Sequence, residues 1–257
     1  MHLAAALCIA FSFLTTLPVP SVEWTPSRLR YVPVAIPMTG VVIGTLGAVL
    51  FSSLRFWEVS PVLRAVIMTF FFLVITGALH MDGLMDTCDA VFSRKERKER
   101  LEILSDTYVG AFAVIGCAAV LMLKTGIFSE LFTSFNSSPA VPPVSRVILL
   151  ALIPVYSRLG LGLLFFLPFA KEDGLARTLG AARVFRDRFI LLAGCALFGI
   201  SVCPLGLKWL SVPLTGAAVF VFYGRYCVKN FGGVTGDLMG AFVELSETLM
   251  FLTLVIL

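Results

Sequence analysis

From Pro61 to Leu79 the chain reads PVLRAVIMTFFFLVITGAL, and HMDGLMDTCD follows from His80 to Asp89. The first part is apolar enough to enter a membrane, apart from Arg64 near its start. The second carries Asp82, Asp86 and Asp89 at i, i+4 and i+7, a spacing that puts three carboxylates on one helix face. Like charges on one stripe repel, and near lipid each loses hydration, so the stripe calls for a cation. Mg²⁺ is the simplest choice, since it takes oxygen ligands and keeps waters and substrate phosphates in its shell. Gly83 removes a side chain on the neighbouring face, where a ligand or another backbone can approach. The plain alternative is a solvated helix end whose acids pair with the basic run Arg94–Arg100. Ionisable groups at a membrane segment favour a functional role.

The rest of the chain agrees with a membrane setting. Of 257 residues, 58% are apolar and only 14% charged, with mean hydropathy +0.96. A soluble domain has about 25% charged residues. The expected fold is an all-α polytopic integral membrane bundle of about seven or eight segments, one membrane-embedded catalytic domain over residues 1–257. The net charge of +4 does not point to nucleic acid, because the basic residues sit in loops beside membrane segments. The six cysteines form no CxxC pair and read as reduced packing residues.

Apolar runs place the segments. Leu3–Leu17 is short for a crossing and lacks the basic start of a signal peptide, so it reads as tilted, re-entrant or interfacial. Val32–Leu54 is a span whose Gly40 and Gly44 form a GxxxG pair for close helix approach. Pro61–His80 is the next span and delivers the acidic stripe. Ser93–Leu104 reads as a short polar helix with a Ser93/Glu96 capping box and Lys95–Glu99, Glu96–Arg100 and Lys98–Glu102 pairs. A span to about Ile127, a polar Pro-rich loop over Phe128–Arg146 and a span over Val147–Phe169 come next. A basic loop, Lys171–Arg188, leads to spans at Phe189–Val202 and Trp209–Cys227. The Gly-rich loop Gly232–Asp237 opens the last span, Leu238–Leu257.

If the loops alternate from an inner start at Ser21–Tyr31, 14 basic residues fall inside and 4 outside. That bias predicts the orientation and puts the acidic stripe and the Gly-rich loop both on the cytoplasmic side. Asp237, Glu244 and Glu247 share a helix face at i, i+7 and i+10. Either they bond to neighbouring hydroxyls such as Ser246 and Thr248, or they oppose the acidic stripe and complete a metal or substrate site in one cavity. Gly232, Gly233 and Gly236 can offer backbone N–H groups to a phosphate before a helix N-terminus. Arg158, near the middle of a span, either binds carboxylates or contacts a phosphoryl group. His80 is a candidate base or hydrogen-bond donor.

These motifs support a family comparison. His80–Asp89 resembles the HxDGLxDxxDG signature of the cobalamin synthase family, the adenosylcobinamide-GDP ribazoletransferases. Asp106–Gly110 resembles its D-x-x-x-G, Gly232–Glu247 its GGxTGDxxGAxxExxE block, and Phe13–Pro20 its T-x-LPVP opening. The blocks run in family order over nearly the whole chain, and Ala90 stands where the family usually has Gly.

The resemblance implies an Mg²⁺-dependent phosphotransferase in the last steps of cobalamin biosynthesis. Adenosylcobinamide-GDP would be joined to α-ribazole or its 5′-phosphate, giving adenosylcobalamin or its phosphate and GMP. It implies catalytic roles for His80, Asp82, Asp86 and Asp89 and metal binding by Asp82, Asp86, Asp89 and Asp237. Substrate contacts would come from Gly83, Asp106, Arg158, Gly232, Gly233, Thr235, Gly236, Asp237, Glu244 and Glu247. The setting would be the inner membrane, multi-pass, in lipid, with the active site facing the cytoplasm and a homo-oligomer left open. Two other classes use similar residues. A cation-coupled transporter needs a polar path across the membrane, whereas these acids cluster on one side. A CDP-alcohol-type phosphotransferase usually carries DGxxAR, which is absent here because Leu84, Met85 and Asp86 follow Gly83.

Overall fold

The computed structural model of the chain describes residues 2–134 and 143–256, which are helical with no strand among them. In chain order the helices are α1 His2–Leu14, α2 Pro26–Leu29, α3 Val32–Leu54, α4 Pro61–Ile75, α5 Leu79–Phe92 and α6 Arg97–Ile103. They continue as α7 Ala111–Ser134, α8 Pro143–Leu164, α9 Leu175–Gly180, α10 Asp187–Val202, α11 Ser211–Phe231 and α12 Gly236–Ile256. By length and composition α3, α7, α8, α10, α11 and α12 can each cross a membrane, and α4 with α5 makes a seventh, bent span. The 13 residues of α1 reach only about 20 Å, short of a hydrocarbon core of about 30 Å. Apolar side chains face outward all along the bundle, such as Val41 and Val49 on α3, Phe70 on α4 and Ile115 and Met122 on α7. Such a surface matches lipid, not water.

Helices α8 and α12 are the most buried spans and form the centre. The GxxxG pair does what its spacing predicts. A Cβ on Gly40 would lie 2.5 Å from the Pro154 carbonyl oxygen, and one on Gly44 would overlap the Ala151 carbonyl. Backbones of α3 and α8 therefore touch. Away from the acidic stripe, aromatic rings fill the core, with Phe51 stacked on Phe132 and Phe72 on Phe128.

Four departures from the expected segments bear on the site or on the packing around it. The third span does not run through to His80: α4 stops at Ile75, Gly77 and Ala78 both take left-handed φ values near +60°, and α5 restarts at Leu79, bent by 91°. Two left-handed residues in succession cannot continue a right-handed helix, and hydropathy does not register them. Thr16 latches this elbow, its N–H donating to the Ile75 carbonyl at 2.9 Å and its hydroxyl to the Val74 carbonyl at 3.1 Å. Second, the Ser93/Glu96 capping box does not form. Ser93 ends α5 and donates to the Ala90 carbonyl, while Glu96 precedes α6 without a side-chain capping bond. Of the three expected pairs, Lys95–Glu99 lies within ion-pair distance, at 3.7 Å. Third, α7 runs on to Ser134, because Phe128, Leu131 and Phe132 stay buried on its inner face. Fourth, α8 starts at Pro143 and ends at Leu164, earlier at both ends than expected. The expected loop residues Asn136, Ser137, Ser138, Pro139 and Pro142 lie outside the described residues.

The segments before α3, after α5, after α8 and between α11 and α12 gather at one end. Helix α2 packs on α9, and the Lys171 ammonium donates to the Ser105 hydroxyl. Val234 pairs with Phe169 in a parallel bridge, its N–H on the Pro168 carbonyl at 2.8 Å and its carbonyl accepting from Ala170 N–H at 3.0 Å. The segments between these helices are those in which the alternating count collects the basic residues.

Candidate active site

Helices α5 and α12 meet through glycines. A Cβ on Gly83 would lie 2.6 Å from the Asp237 carbonyl oxygen and 2.9 Å from its Cα, and one on Gly240 would lie 3.3 Å from the His80 backbone. It is another backbone, rather than a ligand, that occupies the space beside Gly83. This contact brings Asp82 of α5 and Asp237 of α12 onto one cavity of about 190 Å³, which His80, Gly83, Gly236 and Gly240 also line. The third span, through its second half, and the last span are thus adjacent, as expected.

Asp86 lies one turn beyond Asp82, within electrostatic reach of Asp82, Asp237, Asp89 and Lys171. Among the described residues none of Asp82, Asp86, Asp89 and Asp237 has a basic group within ion-pair distance. Lys171 is the site residue that sequence reasoning missed. The Phe169–Val234 bridge sets it beside the Gly-rich loop, and it lines a second cavity of about 230 Å³ with Arg177, Thr235, Gly236 and Asp237. No local motif marks it; only the pairing of two distant loops does.

Asp89 is oriented differently from the rest of the stripe. Its two oxygens accept from the backbone N–H groups of Gly110 at 2.7 Å and Ala113 at 2.9 Å, which caps the start of α7. Thr235 caps α12 in turn, its hydroxyl accepting from Leu238 N–H at 3.3 Å. Gly232 closes α11 in a left-handed conformation, and Gly233 packs on the Pro168–Phe169 backbone. Gly236 has open space where a side chain would be and lines both cavities.

The remaining expected contacts lie elsewhere. Asp106 sits on an exposed turn, accepting from Tyr108 N–H at 3.1 Å. Glu244 pairs with Lys124, and Glu247 with Arg158 and the Ser157 hydroxyl, all of them buried. The second acidic set therefore splits. Asp237 joins the acidic stripe, while the two glutamates neutralise buried cations and do not line its cavity. A lone partner left in such a pair is strongly destabilising, so both pairs fix the packing of α7, α8 and α12. His80 is 2% exposed, and its Nε2 has no partner among the described residues.

No three His, Cys, Asp or Glu side chains among the described residues form a ready metal cage. Mg²⁺ does not need one, since it binds through one or two carboxylates and completes its shell with water and substrate phosphate. Asp82 and Asp237, without ion-pair partners on one cavity and with Asp86 within electrostatic reach of both, fit that mode of binding.

A family profile described as Cobalamin-5-phosphate synthase matches residues 6–255. A protein of Geobacillus kaustophilus named adenosylcobinamide-GDP ribazoletransferase is 34% identical over 256 residues, covering 94% of this chain and 92% of its own. One of the same name from Lachnoclostridium phytofermentans is 34% identical, with 98% and 93% covered, and one from Clostridium botulinum is 28% identical, with 96% and 95% covered. No solved structure matches the chain. With a match over nearly its full length, the chain belongs to the cobalamin-5-phosphate synthase family.

Proposed function

We propose that the protein is an adenosylcobinamide-GDP ribazoletransferase, active at the cytoplasmic face of the inner membrane. The observation that carries this reading is the meeting of Asp82 and Asp237 on one cavity, with Asp86 and Lys171 beside it. A ribose hydroxyl of α-ribazole, or of its 5′-phosphate, attacks the phosphorus that bears cobinamide. A new P–O bond forms, the bond to the GMP oxygen breaks, and GMP leaves with that electron pair. His80 or Asp82, both on the cavity, takes the hydroxyl proton. Lys171 balances charge on the diphosphate. Two of the carboxylates Asp82, Asp86 and Asp237 would hold Mg²⁺, which would supply charge neutralisation for phosphoryl transfer. A transport pathway would need free carboxylates within the bundle, yet Glu244 and Glu247 are already paired.

The test is GMP release by purified protein supplied with adenosylcobinamide-GDP and α-ribazole. Wild-type protein should release GMP only with both substrates and should lose activity on chelation. Asp86→Asn keeps size and hydrogen bonding but removes a charge. It should reach normal membrane levels and lose roughly 10²–10³ in rate, the scale of one lost electrostatic contact to a transition state. Turnover above about a third of wild type would remove Asp86 from the metal site.

A further inference from the structure

The cavity shared by Asp82 and Asp237 has two kinds of wall. The wall formed by α5 and α12 carries His80, Asp82 and Asp237. The rest is hydrocarbon, from Ile9, Ala10, Phe13 and Leu14 of α1 and facing residues of α3, α8 and α9. Helix α1 is too short to serve as an anchor of its own, yet it is packed on α3, and Thr16, just beyond it, latches the α4–α5 elbow. Its position next to the acids calls for an explanation beyond membrane insertion.

We propose that this cavity receives the base of α-ribazole, and that α1 is the wall that selects it. The inference rests on the proposed transferase reading. Size removes one substrate part, since a corrin ring is far larger than about 190 Å³. Polarity decides between the two bases. Guanine presents several donors and acceptors that this hydrocarbon wall would leave unpaired, at a substantial desolvation cost. Dimethylbenzimidazole has no N–H, a single ring acceptor and two methyl groups, and matches an apolar slot. With the base seated against α1, the attached ribose lies at the α5/α12 wall beside Asp82 and Asp237, where its hydroxyl must react. The nucleotide of the other substrate is left to the second cavity with Lys171 and Arg177, which shares Gly236 and Asp237 with the first.

The experiment varies the two substrates separately in nanodiscs and reads GMP release. Ala10→Leu puts a branched group into the cavity. It is expected to raise KM for α-ribazole at least tenfold while KM for adenosylcobinamide-GDP stays within twofold. A rise confined to adenosylcobinamide-GDP would assign the cavity to guanine and overturn the proposal. No change in either KM, as expected if a lipid chain fills the cavity, would overturn it too. If Ala10→Leu does not accumulate, Phe13→Ala replaces it. The enlarged cavity should then accept the riboside of a tricyclic naphthimidazole that wild type rejects, and an unbroadened preference would overturn the proposal. Wild-type protein that releases no GMP would instead defeat the transferase reading. Binding of labelled α-ribazole then decides the cavity by itself: about tenfold weaker binding to Ala10→Leu supports it, and equal or absent binding overturns it.

Discussion

Lys171 faces a carboxylate cluster from a loop, where the Ser105 hydroxyl and the Phe169–Val234 bridge hold its place. Asp86 and Asp237 both feel its charge. A cation there suits a diphosphate that must sit beside three acids. A charged hydrogen bond is worth about 1.5–3 kcal/mol, so Lys171→Met should lower kcat/KM for adenosylcobinamide-GDP roughly ten- to hundredfold. Lys171→Arg should recover part of that loss. Steady-state kinetics with the corrinoid varied would refute the role if Lys171→Met matched wild type. The acidic stripe was legible because helical spacing alone aligns Asp82, Asp86 and Asp89. What spacing could not show is that Asp89 spends both oxygens on amides 21 and 24 residues later in the chain. Nor could it show that Glu244 and Glu247 meet cations of other helices, since periodicity reports a face and not what lies opposite.

At the scale of elements, the glycine contact between α5 and α12 sets the distance between the two acidic helices. Gly83→Ala forces a methyl group into the Asp237 backbone, where no side chain can rotate away. Overpacking of this kind costs about 1–3 kcal/mol. The variant should melt at a lower temperature and release GMP much more slowly, because Asp82 and Asp237 are pushed apart. Gly199→Ala is the control, as that position on α10 has open space around it. Equal melting and equal activity of the two variants would show that the contact does not set the site. The elbow before α5 was hidden in the sequence. Gly77 gives a hint, but Ala78 carries no preference for a left-handed turn, and Thr16 holds the break from a distant segment.

At the scale of the whole molecule, the spans alternate so that the segments around Arg28, Arg97, Lys171 and Gly232 share one end. The end-to-end order was legible because hydropathy and the basic bias are properties of composition, which survive errors of several residues in helix bounds. In a cysteine-free background, Lys98→Cys should react with an impermeant maleimide only after permeabilisation, and Glu58→Cys should react in intact cells. Both positions are exposed. Labelling of Lys98→Cys from outside would invert the orientation.

The buried pairs also set a timetable for synthesis. Lys124 precedes Glu244 by 120 residues, an interval of about 6–24 s at roughly 5–20 residues per second. For that time a nascent chain holds Lys124 without its counter-ion, and Arg158 waits the shorter stretch to Glu247, so the arriving α12 is drawn in by two waiting positive charges. The carboxylate cluster is likewise incomplete until Asp237 joins the acids of α5. A chain stopped before Gly236 should therefore be recognised as unfinished and degraded within minutes in a pulse–chase experiment. Its lifetime should lengthen when Lys124 and Arg158 are both replaced by methionine, whereas equal lifetimes would mean that the unpaired charges are not what the quality-control proteases detect.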